Sequence, residues 1–174
     1  MNIREALSAE HSIRQTNQIV EHIGTDPTRF RELIDIFLDS DYRLAQRAAW
    51  PLGICSQFHP ELVGPHLSKL VDQLERDDVH DAVKRNVTRI LQYVDIPNEL
   101  SGRILDICFK LVDDALEPVA VRVFAMTVAE RIGHDSPELI NELGLIIDKH
   151  LDSTTVAFRK RAEIVLGRRF DPRT

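Results

Sequence analysis

Four aspartate–arginine pairs recur along the chain at a nearly constant spacing. In each pair the Asp precedes the Arg by six to eight residues. A row of guanidinium groups could bind an acidic partner or phosphates, whereas arginines bonded to nearby carboxylates would form a ladder that holds the chain together. Each Arg has an Asp of its own, which a binding row would not require, so we expect a structural ladder. The pairs are Asp41 with Arg47, Asp78 with Arg85, Asp114 with Arg122, and Asp152 with Arg159.

The other residue types that carry chemistry do not form a recognisable site. A histidine pair that binds a metal on a helix needs i,i+4 spacing, and no two of the seven histidines have it. Cys55 and Cys108 fall in apolar helical stretches, where a thiol without a cationic neighbour is inert. The Gly-x-Ser-x-Gly motif and the glycine-rich phosphate loops are absent. We therefore expect no catalytic residue, no metal, no cofactor and no enzymatic activity. The histidines are at positions 11, 22, 59, 66, 80, 134 and 150.

Helices must position these residues, because apolar side chains recur at helical spacing almost throughout and nowhere alternate with period two. Prolines stand where first helical turns would begin, and Gly24 and Gly133 follow Ile as left-handed caps would. Short links make neighbouring helices antiparallel. The predicted helices are about 3–23 with a break near 9, 28–39, 41–58, 60–75, 79–94, 97–113, 118–132, 137–150 and 155–169.

The helices recur as pairs. Successive arginines of the four pairs are 38, 37 and 37 residues apart, and Arg14 is a degenerate earlier copy. Residues 117–140 and 11–34 are distorted copies of one another, each running from a hydrophobe–Arg step through Ile-Gly to Glu-Leu-Ile. A fixed period of this size, made of one helix pair, predicts an α-solenoid.

Residues 60–91 resemble a HEAT repeat. They run from Pro-Glu-Leu through a second Pro and an Asp turn to an apolar-x-Arg helix start, PELVGPHLSKLVDQLERDDVHDAVKRNVTRIL. An armadillo-like relative also fits, because the period is slightly short for HEAT. Residues 97–166 also resemble a group of small bacterial HEAT-like proteins.

The resemblance implies an all-α, right-handed αα superhelix of four helix pairs with an N-terminal capping helix. We expect one domain over 1–174, with repeats at about 25–58, 59–96, 97–135 and 136–170.

The charge distribution bears on partners and location. The net charge of −6 opposes binding to nucleic acid or an anionic membrane, although residues 153–174 carry a local charge of +4. We interpret that basic end as a solvated last helix with cations near its C-terminal dipole. We see no signal peptide, no membrane span and no disulfide pattern, so we expect a cytoplasmic protein.

The first interpretation of function is a non-enzymatic scaffold or adaptor that binds a protein partner, as a monomer or weak homo-oligomer. A second is a DNA-binding or DNA-repair protein of the HEAT-like glycosylase type, for which Trp50, Tyr42, Tyr93 and Arg89 are the conceivable groove residues. We expect Trp50 instead to pack in the core at a kink made by Pro51. A third is a structural subunit of a larger assembly. The sequence does not point to particular partner-binding residues.

Overall fold

The computed structural model describes residues 1–39 and 41–168, and every regular element within those ranges is helical. Helix accounts for 78% of these residues, which confirms the all-α prediction. The α-helices are α1 (Ile3–Ala9), α2 (Ile13–Ile23), α3 (Pro27–Asp39), α4 (Tyr42–Phe58), α5 (Leu67–Asp72), α6 (Asp81–Ile90), α7 (Asn98–Asp113), α8 (Val119–Gly133), α9 (Pro137–Asp148) and α10 (Val156–Leu166).

Polar side chains at the helix starts explain most of these boundaries. The Asn2 side chain accepts a hydrogen bond from the Glu5 N–H, Ser12 from Gln15, and Thr155 from Phe158. Each of these bonds satisfies a backbone donor that has no partner inside its helix. The Ser12 cap starts α2 and produces the predicted break after residue 9. Residue 169, predicted at the end of the last helix, lies outside the described residues.

The helix predicted over 60–75 is wrong as a continuous element. The chain instead forms 3-10 turns at Pro60–Leu62 and Gly64–His66, the short α5, and a further 3-10 turn at Gln73–Glu75. Pro60 and Pro65 supply no backbone N–H and Gly64 disfavours helix, so this stretch forms short turns in place of one continuous α-helix.

The two predicted glycine caps behave differently. Gly24 follows α2 and has the positive φ, +49°, that a left-handed cap needs, but its ψ of −123° lies outside the left-handed helical region. Gly133 is the last helical residue of α8, and its φ is not positive. A Cβ at Gly133 would lie 3.1 Å from the Leu139 Cβ, so this glycine is needed for close packing, and its prediction as a left-handed cap is wrong.

The N-terminal unit spans Met1–Asp95. α4 lies at its centre and contacts α1, α2, α3 and α6. Phe30, Ile34 and Phe37 of α3 and Leu52 of α4 are almost completely buried and form much of its core. α4 continues as one helix through Pro51, whose ring is buried.

The C-terminal unit begins at Ile96. α8 contacts α7, α9 and α10. Ile104 and Cys108 of α7, Met126 of α8 and Phe158 of α10 are fully buried and belong to the core of this unit. The single-domain organisation, the four repeat boundaries and the right-handed superhelix stay predictions.

Candidate functional site

Three of the arginines in the four repeating pairs, Arg47, Arg122 and Arg159, bind backbone carbonyls at or near the ends of helices. Arg47 donates from Nη1 to the carbonyls of Leu7 and Ser8, both at 2.9 Å, at the end of α1. Arg159 donates to the Leu151 carbonyl at 2.6 Å, in the turn that follows α9. The last carbonyls of a helix have no intrahelical partner and carry its negative dipole end, so a guanidinium is well matched to them.

Arg122 is the most buried member of the series, with 6% of its surface exposed. Its Nε and Nη2 donate to the Val112 carbonyl at 3.1 and 2.8 Å, and its guanidinium carbon lies 4.4 Å from the centre of the Phe158 ring. Burial lowers the pKa of Arg122, although the charges of Asp114 and Asp113 oppose this shift. This arginine holds α7, α8 and α10 together.

The aspartates of the series act at the other ends of helices or in turns. Asp41 accepts hydrogen bonds from the N–H groups of Arg43 and Leu44 as the N-cap of α4, and Asp114 accepts from Leu116 at 2.8 Å. Asp78 pairs with Arg76 rather than with its predicted partner Arg85, whose side chain is exposed. The predicted ladder is therefore structural, as expected, but its carboxylate–guanidinium pairing is wrong.

Of the residues considered for catalysis, the two cysteines are the simplest to interpret. Burial raises the pKa of the Cys55 thiol to about 11 and that of Cys108 to about 12. The reactive thiolate is therefore scarce at neutral pH. Within residues 1–39 and 41–168, no group of three or more His, Cys, Asp or Glu side chains could hold a metal ion.

The residues considered for a DNA groove lie on α4, on α6 and just after α6. Trp50 is 37% exposed and meets the edge of the His11 ring at 5.6 Å, so its prediction as a core residue is wrong. The next two residues of α4, Pro51 and Leu52, are the buried ones instead. Tyr93 is 44% exposed, and Arg89 is half-buried.

The basic end of the chain is held by intramolecular contacts in its described part. Arg161 donates to the Thr127 hydroxyl at 3.0 Å, Lys160 pairs with Glu163, and Arg168 pairs with Asp148. With Arg159 bound to a carbonyl, each of these side chains has a partner within the chain. Arg169 and Arg173 lie outside the described residues.

One concave feature of the described residues is a cleft of about 210 Å³ in the N-terminal unit. The end of α3, the start of α4, the turn after α5 and the start of α6 enclose it. Its floor is apolar, and its wall is an aromatic pair formed by Tyr42 and His80, whose ring centres are 3.9 Å apart with planes 31° from parallel. The apolar residues of the floor are Phe37, Leu38, Ala45, Val79, Ala82 and Val83.

The polar groups of the cleft are held in place by one another. Arg76 binds Asp78 through two bonds, from Nε at 2.9 Å and from Nη2 at 2.8 Å, and its Nη1 donates to the Gln73 side chain at 3.3 Å. This pairing lowers the pKa of Asp78. His80 is the N-cap of α6, and its Nδ1 accepts from the Ala82 N–H at 3.1 Å. The accepting nitrogen carries no proton, so a neutral ring carries its proton on Nε2.

Sequence reasoning missed this cleft, although a signal was present. Tyr42 and His80 are 38 residues apart, which is also the step from Arg47 to Arg85. Two ring side chains at the same place in successive repeats must lie on adjacent helix starts. The equivalent positions one and two steps of 37 further on are Glu117 and Thr154, so the ring pair occurs once.

Paired helices with capped ends and two compact helical units place this chain among the all-α helix-pair repeat proteins. A family model of the HEAT repeat domain matches residues 3–165, and the chain belongs to that family. HEAT repeats commonly mediate protein–protein interaction, and the family is typically non-enzymatic. No curated protein and no solved structure matches the chain. Among the described helices, none is both long and apolar enough to cross a membrane.

Proposed function

We propose that the protein is a non-enzymatic scaffold or adaptor of the cytoplasm that binds a protein partner. The observation that carries this proposal is the cleft with the Tyr42–His80 wall. A half-exposed aromatic pair on a rigid helical frame is the type of surface on which the strongest contacts of protein interfaces form, since tyrosine supplies a large contact area at low entropic cost. The free, buried thiols of Cys55 and Cys108 support a reducing compartment.

The cleft is poorly suited to catalysis. At about 210 Å³ it is smaller than the roughly 300–1,000 Å³ of most small-molecule sites. Its strongest polar groups, Arg76 and Asp78, are bound to each other, so neither offers an unpaired charge to a reacting group. The DNA-repair interpretation loses support because Arg159, Lys160, Arg161 and Arg168, the cations in the described part of the basic end, all bind groups within the chain.

A second candidate, assembly through like chains, rests on a separate observation. Leu145 of α9 and Val156 and Ile164 of α10 are 60%, 76% and 71% exposed. Exposed apolar side chains on two helices that contact each other favour association with a second apolar surface. Light scattering across a hundredfold range of concentration tests this candidate. A constant monomer mass rules it out.

Affinity purification from the native cell, with mass spectrometry and a measured stoichiometry, tests the scaffold proposal. We expect a protein bound in a defined ratio that survives about 0.15 M salt, a condition that screens weak surface charges. Retention of DNA in its place, or turnover of a bound small molecule, would contradict the proposal. Loss of the partner with Tyr42→Ala but not with Tyr93→Ala assigns the contact to the cleft.

A further inference from the structure

The surroundings of the cleft are strongly acidic. Its lining residues and their immediate chain neighbours include seven carboxylates, two within residues 39–41 and five within residues 72–81. All seven side chains belong to exposed residues. The same set includes only three cations, Arg43, Arg76 and Lys84, so its net charge is −4. Asp78 itself lines the cleft, and each of the other six carboxylates belongs to a residue adjacent in sequence to a lining residue.

The lining of the cleft also includes several apolar residues. Phe37, Ala45, Ala82 and Val83 are among them, and each is less than one-tenth exposed, so each presents a small hydrocarbon area to the space. A cavity of about 150 Å³ is enough to bind benzene, so about 210 Å³ suits one benzyl-sized group. The Tyr42 and His80 rings provide a face for an offset or edge-on aromatic contact.

The walls of the cleft are also fixed in advance of binding. The two bonds that Arg76 donates to Asp78 and the bond that the Ala82 N–H donates to His80 Nδ1 restrict the side chains that border the space. Binding therefore orders few groups, which favours recognition of one side chain over a large adaptable contact.

We propose that this cleft binds an aromatic side chain, phenylalanine above all, that the protein partner presents between lysines or arginines. The ring enters the apolar interior, and the flanking cations lie against the acidic surroundings. The proposal rests on the proposed scaffold function and specifies the chemistry of the partner. The charge complementarity excludes an acidic segment and a nucleic-acid backbone as the occupant.

Three short peptides test the proposal on the whole protein by nuclear magnetic resonance titration at pH 7.5 and about 0.05 M salt. They are acetylated, amidated Lys-Phe-Lys, Glu-Phe-Glu and Lys-Ala-Lys. We expect Lys-Phe-Lys to shift the backbone resonances of Tyr42, Ala45 and Ala82 saturably, with a dissociation constant on the order of 1 mM. The other two should bind at least about tenfold more weakly. If Lys-Ala-Lys binds as tightly as Lys-Phe-Lys, charge alone accounts for the binding and the proposal is overturned.

Matched variants identify the groups responsible. Tyr42→Ala should weaken Lys-Phe-Lys binding about tenfold, and Tyr42→Phe should restore it because the ring is kept. Tyr93→Ala is the control, since Tyr93 is similarly exposed, at 44% against 48%, and lies outside the cleft. His80→Ser removes the second ring but keeps a residue suited to an N-cap, so it should weaken binding without melting α6. Binding that is unchanged in both Tyr42→Ala and His80→Ser would overturn the proposal.

Further outcomes separate this inference from the scaffold function. If a protein partner is captured but no peptide binds the cleft, the aromatic anchor is wrong and the scaffold stands. If free phenol binds more tightly than Lys-Phe-Lys, the occupant is a small molecule and the proposal fails. Residues 168–170 read Arg-Arg-Phe, and Arg169 and Phe170 lie outside the described residues. Self-association abolished by Phe170→Ala would make a second copy the occupant and also overturn the proposal.

Discussion

Replacement of Arg122 by alanine tests the central contact of the C-terminal unit. The substitution removes both hydrogen bonds to the Val112 carbonyl and the stacking on Phe158. The two bonds share one acceptor, so we count them together as one charge-assisted bond of about 1.5–3 kcal/mol. The cation–π contact adds about 0.5–2 kcal/mol.

Burial acts against part of this gain. It lowers the pKa of Arg122, which means that desolvation disfavours the charged form, and the loss of the charge recovers that penalty. The Val112 carbonyl, however, is left without its partner in a buried place, which is itself costly. We therefore expect Arg122→Ala to lower the free energy of unfolding by about 2–4 kcal/mol, or Tm by roughly 4–16 °C for a chain of this size.

Urea unfolding followed by far-UV circular dichroism measures this change. If the unfolding free energy falls with urea concentration at the same slope in the variant and the original protein, the two free energies can be compared directly. Arg85→Ala is the matched control because Arg85 holds the same place in the preceding repeat and is exposed. It should cost about 0.5 kcal/mol or less. Equal and small effects of the two substitutions would refute the assignment of Arg122 as a buried tie between helices.

Three further predictions follow from the described structure. Burial lowers the pKa of His66 below its usual 6.5, with Lys69 and Arg31 assisting and Asp35 opposing, so the unfolded chain takes up a proton first and stability should fall as the pH drops below about 6.5. His66→Phe should make the melting temperature less dependent on pH between about 6.5 and 5. His134→Phe, at an exposed position, should not have this effect. Cys55 and Cys108 should react with a thiol-specific disulfide reagent at pH 8 only after denaturation, because burial raises their pKa values to about 11 and about 12; fast labelling of the native protein would contradict their burial. Gly133→Ala should cost about 1–3 kcal/mol by thermal melt, since its Cβ would lie 3.1 Å from the Leu139 Cβ, while Gly102→Ala meets nothing within 4 Å and should be neutral or stabilising.

The sequence predicted helices best where a wide apolar face and a clear start signal coincide. α7 and α8 lie within one residue of their predicted bounds, because their apolar stripes must be buried whatever else the chain does. The prediction failed over 60–75, where periodicity indicated a helix but two prolines remove the backbone donors that a helix needs. Periodicity describes which side chains are buried, and it is insensitive to the backbone bonds between them.

The cleft could not be predicted in the same way. Its lining comes from segments about 30 residues apart, and each segment taken alone is an ordinary helix start or turn. Only the packing of α6 against α4 brings Tyr42 and His80 to a centroid distance of 3.9 Å. The matching repeat position of the two rings indicated proximity, but it did not indicate that an apolar space would lie beside them.

The Asp–Arg series was correctly predicted to be structural, but the partners predicted for its side chains were wrong. The partners that these side chains have in the structure explain why the series is periodic. Every helix ends with backbone donors at one terminus and acceptors at the other that lack intrahelical partners. Asp41 serves the donors at the start of α4, and Arg122 serves an acceptor near the end of α7. A repeat that carries one Asp and one Arg can therefore satisfy the free donors at one helix end and the free acceptors at another, and the two side chains need not contact each other. What recurs in each repeat meets a need of every helix, whereas recognition of one partner requires features that occur once. The ring pair of Tyr42 and His80 and the acidic run over residues 72–81 depart from the repeat in this way, which is why we assign function to them and not to the arginines.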